Sequence, residues 1–111
     1  MESYPAVRGD WCPTHPGQLL ALDVLPATGR TKTELARLLG MPVRRFSAIL
    51  DEKRSVSAED AVRLGAMFGD GPQIWMRMQA AYDLWHAQRA VDVGKILKVT
   101  AAGPPDYSSE A

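Results

Sequence analysis

One cysteine in 111 residues, Cys12, leaves no intramolecular disulfide to hold the fold, so packing must do it, and a lone thiol fits a reducing compartment. Histidine is almost as scarce. Only His15 and His86 accompany that thiol, so Cys12-x-x-His15 cannot grow into the four-ligand set of a structural zinc. No metal or other cofactor is expected. No apolar run approaches the roughly 18 residues of a membrane span, and the opening MESYPAVRGD lacks the basic-then-apolar profile of a secretion signal. A cytoplasmic chain without membrane contact is therefore expected.

Further absences narrow the function. The chain has no phosphate-cradling glycine loop, no internal repeat and no clear strand alternation. Its carboxylates stand mostly singly, and of the two adjacent acidic pairs, Asp51-Glu52 and Glu59-Asp60, the second is explained by a helix start. An enzyme is not expected. Net charge is zero, which by itself counts against a nucleic-acid binder, because phosphate neutralisation supplies most non-specific affinity. The distribution answers that objection. From Arg30 to Arg54 the basic residues Arg30, Lys32, Arg37, Arg44, Arg45, Lys53 and Arg54 face only Glu34, Asp51 and Glu52, a basic patch on a neutral body.

That patch coincides with TKTELARLLGMPVRRFSAIL, Thr31 to Leu50, which has the grammar of a helix-turn-helix. Thr31 and Glu34 stand at capping-box spacing and start a helix near Lys32. Ala36 is small enough for a second helix to approach, and Gly40 suits the left-handed residue that ends the first. Pro42 has a φ suited to a helix start, so a second helix is predicted from Pro42 or Val43 to about Asp51. Phe46, Ile49 and Leu50 form its buried stripe and leave Val43, Arg44, Ser47 and Ala48 as candidates to read bases. Arg44 suits the O6 and N7 of guanine, while Val43 and Ala48 offer apolar contact to a thymine methyl. Arg45, Lys32, Lys53 and Arg54 are candidates for phosphate. For each of these the plain alternative is a solvated side chain on an exposed helix.

The remainder reads as helical. A proline-started helix from His15-Pro16-Gly17 is predicted to end near Pro26, with its leucines in the core and residues 27–30 as a turn. Ser57 and Asp60 cap a helix from Ala58 to about Phe68, with Ala61, Val62, Leu64 and Phe68 inward. After Gly69-Asp70-Gly71-Pro72 the longest helix runs to about Arg89. Its apolar surface is too broad for one small core: Ile74, Met78, Ala81 and Trp85 make one stripe, Trp75 and Tyr82 another. Ile74, Trp75, Met78, Tyr82 and Trp85 are accordingly candidates for a dimer interface, while for Trp75 and Trp85 the core is the first reading and the interface the main alternative. Residues 91–100 are ambiguous between helical extension and strand, and the last eleven read as a disordered tail. The expected organisation is a flexible arm over residues 1–13, carrying Tyr4 and Trp11, a helix-turn-helix domain over 14–90 and an extension over 91–111.

Four segments together resemble the HigA-type antitoxins, a branch of the Xre or lambda-repressor-like helix-turn-helix proteins. They are HPGQLL, the helix-turn-helix, KRSVSAEDAVRLGAMFG and PQIWMRMQAAYDLWHA, in that order. The resemblance spans roughly His15 to Arg89. It implies an all-α, five-helix bundle that dimerises, binds a palindromic operator in its own promoter and neutralises a HigB toxin similar to the RelE ribonucleases. Where the family usually carries Asn-Gly after the recognition helix, this chain has Asp51-Glu52. A left-handed conformation there costs a non-glycine residue about 1 kcal/mol, so a loop of different shape is expected, with carboxylates that repel phosphate. Two other roles stay open from sequence: an interaction module that inhibits a toxin or adapts a protease while binding DNA weakly, and a stand-alone Xre-type regulator.

Overall fold

A computed structural model describes residues 11–99. The residues before and after that span, including Tyr4 and the tail expected to be disordered, lie outside the described part. Within it the chain is all-helical, as the resemblance implied. The order is α1 (Pro16–Leu19), a π-helical turn (Leu20–Val24), α2 (Leu25–Thr28), α3 (Lys32–Leu39), α4 (Val43–Leu50), α5 (Ala58–Phe68) and α6 (Pro72–Ala90), followed by a 3₁₀ turn (Val93–Lys95). The first three segments form one continuous helical run, which makes five helices in all.

Pro26 does not end that run. Lacking an N–H, it cannot bond the carbonyl four residues back, and the preceding stretch widens into a π turn so that the helix continues to Thr28. Termination falls to Gly29, which takes the left-handed conformation at φ 69°. Leu22, expected in the core, is 64% exposed, because Leu20 is the leucine of this run that is fully buried while Leu19, Val24 and Leu25 pack at the margin.

Capping agrees closely with the sequence. Thr31 and Glu34 form a complete capping box on α3, and Ser57 and Asp60 form another on α5. The α3 helix closes at Gly40 with paired bonds from the Met41 amide to the Ala36 carbonyl (3.0 Å) and from the Gly40 amide to the Arg37 carbonyl (3.1 Å). Arg63 of α5 adds a hydrogen bond to the Leu39 carbonyl (3.0 Å), which ties that helix end to the body.

The core is Leu20, Leu35, Ala36, Leu39, Met41, Phe46, Ile49, Val56, Ala61, Leu64 and Trp75. Two expectations about α5 and α6 change. Val62 is 57% exposed, since Ala61, Leu64 and Gly65 define the inward face and Val62 is turned away from it. Trp75, a candidate for the dimer interface, is only 2% exposed within the single chain and bonds Asp70 through its indole nitrogen (3.1 Å). Its place is in the core, because the inward stripe of α6 runs through Trp75, Gln79 and Tyr82. Gln79 is a buried polar residue on that stripe: its carbonyl accepts the Val56 amide (2.7 Å), and its amide group donates to Asp83 (3.0 Å). This anchors the segment between α4 and α5. Residues 91–99 form neither a longer helix nor a strand. They leave the body exposed, with Leu97 at 89% exposure.

Candidate DNA-binding face

α3 and α4 meet through Leu35, Ala36, Leu39, Phe46 and Ile49, and this sets which side of α4 remains outward. Pro42 stands just before the helix as its extended cap, and its carbonyl accepts the Phe46 amide (3.1 Å). On the outer side Val43 and Arg44 are exposed, while Ser47 and Ala48 are half-buried. Pro42, Arg44, Arg45, Ala48 and Arg54 line a shallow concavity, so the loop after α4 brings Arg54 alongside the helix that carries Arg44. No carboxylate among the described residues pairs with Arg44, Lys53 or Arg54. Lys32, at the start of α3, donates to the Ser47 hydroxyl (3.1 Å) and leaves that hydroxyl's own proton free to donate outward.

Arg45 departs from the expected phosphate role. Its Nε and Nη2 make a bidentate pair with Asp60 of α5, the first at 3.0 Å, and Asp60 is almost wholly buried. Burial pushes the Asp60 carboxyl up, but the hydrogen bonds from Arg45 and from the amide and hydroxyl of Ser57 outweigh it and hold the group below its ordinary value. The same hydrogen bonding to Asp60 raises the Arg45 guanidinium further. Arg45 is thus a clamp that fixes the roll of α4 against α5. Sequence gave only half of this arrangement, since Asp60 is legible as a cap but its second oxygen carries no signal of its partner.

The loop after α4 keeps the shape that glycine would have given it. Glu52 takes φ 62°, and the Lys53 amide bonds the Ala48 carbonyl (2.9 Å) while the Glu52 amide bonds the Ile49 carbonyl (3.0 Å). This is a Schellman closure with a non-glycine residue in the left-handed position, so the altered loop shape expected from Asp51-Glu52 is not found. Lys53 and Arg54 are consequently presented directly beyond the helix end.

The Cys12 sulfur lies 3.8 Å from Nε2 of His86, whereas Nδ1 of His15 accepts the Gly17 amide (2.8 Å) and caps α1. No grouping of three metal-ligating side chains occurs among the described residues. No helix among them is long and apolar enough to cross a membrane.

No protein-family model matches the chain. It is 36% identical over 87 residues to virulence-associated protein I of Dichelobacter nodosus, covering 78% of this chain and 81% of that protein. A HigA-family addiction module antidote protein from Coxiella burnetii matches in structure with a TM-score of 0.73 and 33% identity, over 81% of this chain and 100% of that one. The chain belongs to the HigA family of helix-turn-helix antitoxins. A further member, the Pseudomonas aeruginosa antitoxin HigA solved with the higBA promoter, has a TM-score of 0.68 and 36% identity over 75% of this chain and 88% of its own. Within this HigA-family chain, the outer and inner residues around α4 are separable by their contacts: Val43, Arg44 and Arg54 are exposed, whereas Arg45 pairs with Asp60 and Phe46 lies in the core.

Proposed function

We propose that this HigA-family chain is a dimeric, operator-binding antitoxin that represses its own promoter and neutralises a ribonuclease toxin of the HigB/RelE kind. The observation that carries the DNA half is the free outer face of α4. Arg44 stands exposed beside Arg54, with Val43, Ser47 and Ala48 along the same helix and Lys32 and Lys53 at its edges, while Arg45 holds the helix from behind. Arg44 reads guanine, Val43 and Ala48 contact thymine methyls, and Lys32, Lys53 and Arg54 meet phosphate. The Pseudomonas relative, which shares this fold and was solved with the higBA promoter, supports operator binding.

Dimerisation is supported by α6. Ile74 is 43% exposed and Ala81 is exposed, while Met78 and Trp85 are half-buried on the same stripe, and the Trp85 indole N–H is buried with no hydrogen-bond partner among the described residues. A two-fold partner across this stripe would pair two recognition helices with half-sites one helical turn apart. Tyr82 contributes only an edge, because its ring faces His15.

Footprinting on the chain's own upstream DNA tests the proposal. A salt-sensitive, sequence-preferring protection is expected, and Arg44→Ala should relax preference at one operator position by about 1–3 kcal/mol. Equal binding of parent and variant to every operator variant removes Arg44 from the reading set. Co-expression with the small basic reading frame expected next to this gene tests the toxin half: growth arrest by that product alone, relieved by this chain, is the expected result.

A further inference from the structure

His15 is 98% buried, yet it is neither a metal ligand nor part of the outward face. Its Nδ1 accepts the Gly17 amide at 2.8 Å, which requires an uncharged ring with its proton on Nε2. Pro16 between them has no N–H to offer, so Nδ1 has only this donor at the helix start. Gly17 in turn is pressed against the end of the recognition helix: a Cβ built on it would lie 1.8 Å from the Ile49 carbonyl oxygen. That oxygen already accepts the Glu52 amide of the left-handed turn (3.0 Å). One chain of contacts therefore runs from the imidazole through Gly17 and Ile49 to the turn that presents Lys53 and Arg54.

We propose that His15 is a positioning residue for operator binding, because only its uncharged ring holds the Gly17 amide and so seats α1 against the end of α4, and acid therefore weakens the grip on DNA. Protonation would set N–H against N–H in a buried site, breaking the cap where the two backbones are closest. The surroundings favour the neutral form. Burial lowers the pKa of His15, and the carboxylates of Glu52, in the loop after α4, and Asp83, on α6, oppose that only in part. The other facing groups are Tyr82, packed edge-on at 4.8 Å, and His86, which stacks on Tyr82 and approaches Cys12. Burial raises the Tyr82 hydroxyl, so it stays uncharged through the range in question.

The inference rests on the operator-binding role proposed above, and the test keeps the two apart. Operator affinity of the full chain is measured from pH 8 to pH 5 at fixed ionic strength, for the parent, His15→Asn and His86→Asn. Asparagine keeps an oxygen acceptor for the Gly17 amide but does not titrate. The parent should weaken by about tenfold per pH unit once the ring is mostly protonated. His15→Asn should bind within about threefold of the parent at pH 8 and lose the slope, and His86→Asn should keep it. A flat parent profile, or an unchanged slope in His15→Asn, overturns the proposal. If the parent binds no DNA at any pH, the operator-binding role falls, and NMR decides the positioning role. The Gly17, Ile49 and Glu52 amide resonances should then titrate with the His15 ring protons in the parent and stay fixed in His15→Asn; amides that ignore the ring overturn it.

Discussion

Glu52 is the residue whose backbone works against its side chain. A left-handed conformation costs an ordinary residue about 1–2 kcal/mol, whereas glycine adopts it freely and gives back only part of that through its larger unfolded-state entropy. With φ at 62°, Glu52→Gly should raise stability by about 0.5–1 kcal/mol, a few degrees in Tm, while Glu52→Ala should bring no such gain. Thermal unfolding of the three proteins checks this. The Schellman bonds on either side explain why the turn persists: the Lys53 and Glu52 amides are satisfied only in this shape. In sequence the missing glycine was visible, but the compensation was not, because it lies in backbone hydrogen bonds that side-chain identity does not encode.

Among the elements, α4 is held by one ion pair that reaches into the body. Arg45→Ala strips Asp60 of its charged partner in a nearly dry site and should cost about 2–3 kcal/mol, whereas Arg44→Ala on the free face should stay within about 0.5 kcal/mol. Urea unfolding at neutral pH separates the two. Acid gives a second reading of the same pair. The folded-state pKa of Asp60 is depressed, so the unfolded chain binds the proton more readily. The stabilisation is fully present above the ordinary aspartate pKa of about 3.9 and is lost as pH falls through the lower folded value. Arg45→Ala should lose less stability than the parent on moving from pH 5 to pH 3.

Helix boundaries were legible to within a residue or two wherever a cap or a glycine marked them, as at Thr31, Gly40, Ser57 and Gly69. Pro26 misled, because a helix can absorb a proline by widening the turn before it. Trp75 was legible as core or interface but not as one of the two: two apolar stripes on α6 identify an excess of apolar surface but not which stripe the rest of the chain covers. The outward residues of the helix-turn-helix followed from periodicity, while the Arg45–Asp60 pairing, formed between different helices, did not. On the proposed dimer, Ile74→Glu on α6 should leave the fold intact and shift the chain toward monomer in sedimentation, since that side chain is already substantially exposed in the single chain.

At the scale of the whole molecule, zero net charge hides a basic face on a neutral body. Affinity for DNA should therefore depend steeply on salt even though the chain as a whole is uncharged. Lys53→Ala should weaken all sequences alike and reduce the slope of log K against log salt by about 0.9, the share of one phosphate contact. An unchanged slope removes Lys53 from the phosphate set.

α4 carries two sets of side chains with different surroundings. Arg45, Phe46 and Ile49 belong to the body, through Asp60, the core and the close approach of Gly17, while Val43 and Arg44 touch little of it. Replacing the outer side chains therefore leaves the frame standing. On the proposed role, a lineage carrying this scaffold can re-address its repressor to a new promoter by a few surface substitutions, without passing through an unfolded ancestor.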